Sequence, residues 1–120
     1  MTNWKPGDVV WVNFPDTHGR LIFKCRPAII MFRATRLGLV SVVPLTRWKD
    51  DRTLDSDQIL VWPSEVNKLR FPSLALLDQL GPIDSTWIMT QPGEAGSIEE
   101  EILNEISERW IERLEEVRLL

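Results

Sequence analysis

The hydrophobic period of the chain changes once, and that change constrains what it can fold into. As far as about residue 90 the apolar residues come in short runs rich in valine, isoleucine and tryptophan, cut by proline and glycine. Such runs fit β-strands, because branched and aromatic side chains pack well on a pleated surface. VVWVNF (Val9–Phe14), RPAIIMF (Arg26–Phe32), LVSVVPL (Leu39–Leu45) and QILVWP (Gln58–Pro63) read as four strands, and PSLALLDQLGPID (Pro72–Asp84) as a fifth. PDTHGR and RATRLG read as polar turns. RWKDDRTLDSD reads as a charged loop, long enough to be a functional element.

After QPGEAGS the period lengthens. Ile98, Ile102, Ile106, Trp110, Leu114 and Val117 are three or four apart and share one helical face. Ser97 followed by Glu100 matches a capping box, and Glu99 to Glu101 stand where the helix dipole favours anions. The expectation is one domain over residues 1–120. A small antiparallel barrel spans about 6–90, and a helix over about 98–118 lays its apolar stripe on the sheet or on a partner.

Composition narrows the function. The chain has 120 residues, enough to bury a core without metal or cross-links. Its single cysteine allows no internal disulfide framework and fits a reducing cytoplasm. One cysteine and one histidine do not make a structural zinc site, so no metal or cofactor is expected. No apolar run is long enough to cross a membrane, and MTNWKPGD lacks the layout of a signal peptide. The net charge of −4 conceals an asymmetry, with about +4 on residues 1–70 and about −8 on residues 71–120. An acidic total argues against nonspecific coating of nucleic acid but leaves room for a local basic site that handles a few phosphates.

Four stretches recur in a recognisable order: GDVVWVNF, CRPAIIM, SVVPLT and SLALLDQLGPID. Together, over roughly Pro6 to Ile88, they resemble the MazF/PemK family of toxin endoribonucleases. The resemblance implies a small SH3-like antiparallel β-barrel that forms a homodimer, and a metal-independent activity on single-stranded RNA that leaves 2′,3′-cyclic phosphate and 5′-hydroxyl ends. It also implies a cognate antitoxin with an acidic, partly disordered tail.

Carried onto this sequence, the resemblance makes Arg26 and Thr46 the catalytic pair. A guanidinium offers a rigid fork of donors matched to two phosphoryl oxygens, and it keeps its proton, so its role is charge stabilisation. A threonine hydroxyl donates to a nonbridging oxygen. Asp78 and Gln79 match the family's acidic-amide pair near the RNA groove. Arg47 stands where serine is common, so it either adds a phosphate contact or changes which nucleotide fits. Gly81 and Leu76 replace basic residues found in some members, which shifts weight from an aspartate-centred mechanism to Arg26 and Thr46. His18, on the first turn, is placed to contact phosphate. Trp48, between Arg47 and Lys49, either stacks an RNA base or folds back over the barrel. Trp11, Trp62 and Trp110 read as core or interface, and Cys25 as a buried or half-buried structural thiol. A rival reading is a barrel of the same superfamily that has lost catalysis and binds a protein target such as gyrase.

Overall fold

The computed structural model describes residues 4–15, 24–32, 37–49, 54–91 and 93–119. Within them the strands are β1 (Asp8–Phe14), β2 (Lys24–Phe32), β3 (Leu39–Arg47), β4 (Gln58–Val61), β5 (Ser73–Leu76), β6 (Gly81–Asp84) and β7 (Gly96–Ser97), followed by helix α1 (Glu100–Leu119). They pair antiparallel in the order β4-β5-β3-β2-β1-β7, with β6 also on β3. The result is an antiparallel sheet curled into a half-barrel with one C-terminal helix, the class expected of the sequence.

Strand alternation sorts the core into two layers. Val9, Ile29, Val43 and Leu45 pack on one face with Ile98 and Ile106 from the helix end of the chain. Val10, Val12, Ala28, Ile30, Val40 and Val42 pack on the other, closed by Trp4 and by the half-buried Trp87 and Ile88. Trp4 was not anticipated in the core, because it stands outside any apolar run.

Two prolines shape the sheet. The ladder between β2 and β3 begins at Ala28↔Pro44, one residue after Pro27. The ladder between β3 and β5 begins at Leu45↔Ala75, one residue after Pro44. Each proline thus sits just outside a ladder that its missing N–H could not join. Pro44 also explains why the expected fifth strand is broken. Between the pairs Leu45↔Ala75 and Val42↔Gly81, five residues (Leu76–Leu80) lie opposite two on β3. They fold into a 3₁₀ turn at Leu77–Gln79, with the Leu80 N–H donating to the Leu77 carbonyl at 3.2 Å. At the far end of β6, Asp84 accepts from the Thr86 N–H and hydroxyl at 2.9 and 2.7 Å. Those bonds hold its carboxyl below the ordinary aspartate value.

The helix departs from expectation at both ends. Ser97 is not its cap, because it pairs with Asp8 in β7 and its N–H donates to the Val66 carbonyl at 2.9 Å. The cap position falls to Glu99, whose carbonyl accepts from Ile102 and Leu103 at 3.0 and 3.1 Å. Ile102, Leu103, Ile106 and Trp110 pack on the sheet, but Leu114 and Val117 are 61% and 69% exposed. Twenty residues make a helix about 30 Å long, and it outruns the sheet beneath it. Its last anchors are Arg109, donating to the Ser56 and Gln58 carbonyls at 2.7 and 3.1 Å, and Arg113, paired with Asp57. No helix among the described residues is long and apolar enough to cross a membrane.

Gly96 is forced by close approach. A Cβ there would lie 2.3 Å from the Asn67 carbonyl oxygen and 2.7 Å from its carbon, both backbone atoms that have nowhere to go. Gly96→Ala is expected to destabilise the chain by about 2–3 kcal/mol, a fall in melting temperature on the order of 10 °C. A change within 2 °C in a thermal melt would contradict the close approach.

Candidate active site

β1 and β3 end where β2 begins, at one end of the sheet, and this end gathers the candidate residues. Arg26 is not ahead of a strand but inside β2, paired with Val12 of β1. On its other side the β2–β3 ladder has already stopped at Ala28↔Pro44, two residues short of Arg26 and Thr46. A side-chain bond takes over there: Arg26 Nη1 donates to Thr46 Oγ1 at 3.3 Å. Both residues are half-buried. Alternation puts them on the face of Ala28, Ile30 and Val42. Pro27 ends the neighbouring ladder, so that the strand ends part around the pair.

Arg47 ends β3 rather than opening a loop, and it pairs with Ser73 of β5. It lies on the opposite face, the face of Leu45. There a cavity of about 240 Å³ is lined by Arg26, Arg47, Arg70, Phe71, Trp11 and Cys25, among others. Among the described residues that line it there is no carboxylate, and the three arginines make that wall cationic. The Arg47 guanidinium carbon lies 4.0 Å from the centroid of the Phe71 ring, a cation–π contact. Arg26 therefore belongs to both sides of the strand end, reaching Thr46 on one and lining the Arg47 cavity on the other.

The remaining candidates are placed differently. Asp78 and Gln79 form the 3₁₀ turn at the end of β5 remote from Ser73, and neither lines the cavity. Leu76 is buried, 8% exposed, so its position belongs to the core. Trp48 folds back: its backbone N–H donates to the Pro72 carbonyl at 2.9 Å, and its half-buried ring meets Trp62 edge-on, centroids 6.1 Å apart. Trp62 itself is 60% exposed, which excludes the core and leaves the interface half of its expectation, because β4 ends one residue before it. Trp11 is likewise exposed where it lines the cavity, and Trp110 is half-buried against the core. Cys25 is exposed rather than buried, its thiol donating to Met89 Sδ at 3.3 Å. His18 lies outside the described residues.

Arg70 and Phe71 were not singled out from the sequence. Their signal is an arginine beside an aromatic just ahead of Pro72 and a strand, the same juxtaposition as in Arg47-Trp48. It gains meaning only when Arg47 and Ser73 pair across β3 and β5.

A family model described as PemK-like, MazF-like toxin of type II toxin–antitoxin system matches residues 5–114. A search of curated proteins gives no match. The matched span takes in all seven strands, the Arg26–Thr46 pair, the cationic cavity and most of α1. The half-barrel and its C-terminal helix thus carry a family identity along nearly the whole chain, which belongs to the PemK-like, MazF-like toxins of type II toxin–antitoxin systems.

Proposed function

We propose that the chain is a metal-independent, sequence-specific endoribonuclease that cuts single-stranded RNA by attack of a ribose 2′-hydroxyl on the adjacent phosphorus. The O2′–P bond forms as the P–O5′ bond breaks, leaving a 2′,3′-cyclic phosphate and a 5′-hydroxyl. Members of the family are typically endoribonucleases. The observation that carries the reading is the 3.3 Å bond from Arg26 to Thr46 beside a cavity lined by three arginines.

The chemistry follows from that bond. The nucleophile belongs to the RNA, so the protein's main task is to stabilise the charge that grows on the phosphoryl oxygens. Thr46 accepts from Nη1 and so holds the guanidinium. Its own hydroxyl proton is left to donate to a nonbridging oxygen. Donors fixed in this way gain more from the charge-rich transition state than from the ground state. The cationic cavity draws the polyanion toward them. Trp62, exposed and edge-on to the folded-back Trp48, offers an aromatic surface on which a base stacks. Asp78 and Gln79, on their turn, contact nucleotides away from the scissile phosphate. His18, outside the described residues, is a further candidate for a phosphate contact.

The active form is a homodimer in the cytoplasm, and the exposed apolar residues Ile111, Leu114 and Val117 supply unpartnered surface for association. The cognate antitoxin silences it with an acidic tail, for which the same three arginines are the complementary surface.

The test is digestion of single-stranded RNA by the purified chain in EDTA, with end-group analysis of the products. Discrete cuts with 5′-hydroxyl ends, lost in Arg26→Ala, are the expected result. Failure of the wild type to cut any RNA would sink the reading. Thr46→Val, which keeps the shape and removes the hydroxyl, is expected to lower kcat by about 10- to 100-fold, the worth of one hydrogen bond to a charged group. An unchanged single-turnover rate would remove Thr46 from the mechanism.

A further inference from the structure

We propose that Arg47, stacked on Phe71, and Arg70 together bind a second phosphate of the strand, next to the one at Arg26 and Thr46. The inference rests on the reading of the chain as an RNA-binding toxin and adds to it a second subsite with its own residues.

Three observations converge on this subsite. First, the cavity brings Arg26, Arg47 and Arg70 together with no carboxylate among the described residues that line it. Like charges gathered without a counter-charge repel one another and favour an anion between them. Second, the side chains of Arg47 and Arg70 make no hydrogen bond or ion pair with any described residue. Their donors are therefore uncommitted among the described residues, unlike the fork of Arg26, which already holds Thr46. Third, Arg47 is held without using its donors. Its guanidinium sits 4.0 Å over the Phe71 ring. Stacking fixes the plane of the fork and leaves the N–H groups at its rim available, the arrangement suited to a phosphate.

Position makes the subsite separate from the first. Thr46 and Arg47 are consecutive in β3, so their side chains leave opposite faces of the strand end. Arg26 reaches Thr46 on one face and lines the Arg47 cavity on the other. A strand lying across that end meets one set of donors and then the next, as consecutive phosphates would. At about 240 Å³ the cavity is smaller than a pocket for a whole small-molecule ligand. It suits one nucleotide's backbone in an extended strand.

The test uses binding rather than cutting. The probe is a mixed-sequence 2′-O-methyl oligoribonucleotide, which has no attacking hydroxyl at any position, and the affinity is read as a function of salt. Each phosphate neutralised on a single strand contributes about 0.7 to the log–log salt slope. Arg47→Gln is expected to weaken binding about tenfold and lower the slope by about 0.7. Arg47→Gln/Arg70→Gln is expected to lower the slope no further, since the one phosphate is held only while both arginines are present and the single change already releases it. Arg26→Gln/Arg47→Gln is expected to lose two such steps, one for each phosphate. Phe71→Leu keeps the charge and loses the ring, so it is expected to weaken binding several-fold with the slope unchanged.

A wild-type slope in Arg47→Gln, or a single step lost in the Arg26→Gln/Arg47→Gln pair, overturns the second subsite while leaving RNA binding in place. A wild-type chain that binds no single strand overturns both the subsite and the reading beneath it. Circular dichroism of each variant checks that the fold is intact, and all three arginine changes lie outside the core.

Discussion

Arg26→Ala is expected to reduce the single-turnover rate of RNA cleavage by about three orders of magnitude or more, with the fold unchanged. An arginine aimed at a transferring phosphoryl group is worth roughly 10³–10⁵ in rate, and a single preorganised donor roughly 10²–10³. Arg26 combines the two, because its fork is already held by Thr46 before substrate arrives. The diagnostic comparison is Arg26→Lys. Lysine keeps the charge but offers a point cation in place of a fork, and its flexible stem loses the fixed geometry. It is expected to recover only a small part of the lost rate. If lysine restored the rate to within tenfold, the role of Arg26 would be to attract the RNA, and the transition-state argument would fail. The fold is expected to survive the substitution, since Arg26 is half-buried at a strand end and is not part of the packed core.

The largest effect on stability is expected at Asn67, far from the strand-end site. Its side chain is fully buried and every hydrogen-bonding position of its amide is used. Oδ1 accepts from the Ser64 and Leu69 N–H groups, each at 3.0 Å. Nδ2 donates to the Trp62 carbonyl at 2.9 Å and to Glu99 Oε1 at 2.8 Å. The Ser64 hydroxyl completes the ring, donating to Glu99 Oε2 at 3.2 Å and accepting from the Asn67 N–H at 3.0 Å. One amide therefore ties the segment after β4 to the first residue of the helix cap. Asn67→Leu, of similar size, leaves several buried groups unpartnered at about 1–3 kcal/mol each. The expected loss is about 3–5 kcal/mol, a large fraction of the stability of a small domain. Asn67→Asp is expected to be no better, because it sets a second carboxylate against Glu99 and removes the donors. Chemical denaturation reads both. A loss below 1 kcal/mol for Asn67→Leu would show that the network contributes little. Combined with Gly96→Ala, the losses should fall short of additive, since both changes disturb the same backbone at Asn67.

Neither Asn67 nor Gly96 announces itself in the sequence. Asn67 lies in a polar stretch, PSEVNK, that reads as loop, and Gly96 in another, QPGEAGS. What makes them structural is that β7 lies against that loop, a contact between segments some thirty positions apart. The same limit hid Arg70 and Phe71. Arg26 and Thr46 were legible because each sits beside a proline-bearing strand run whose order along the chain is characteristic of a family.

The sequence by itself determined that strands come first and a single helix last, because period 2 and period 3.6 place apolar residues on one face whatever lies opposite. It determined too that the helix would carry an apolar stripe, and which arginine and threonine to pair. The tertiary structure alone decided where that stripe stops being covered, at Trp110, since coverage depends on how far the sheet extends beneath a helix about 30 Å long. It alone turned one expected strand into β5, a 3₁₀ turn and β6. The missing N–H that interrupts the ladder belongs to Pro44 on a different strand. And it alone gathered Arg47, Arg70 and Phe71 into one cavity, because cross-strand register sets which distant residues meet.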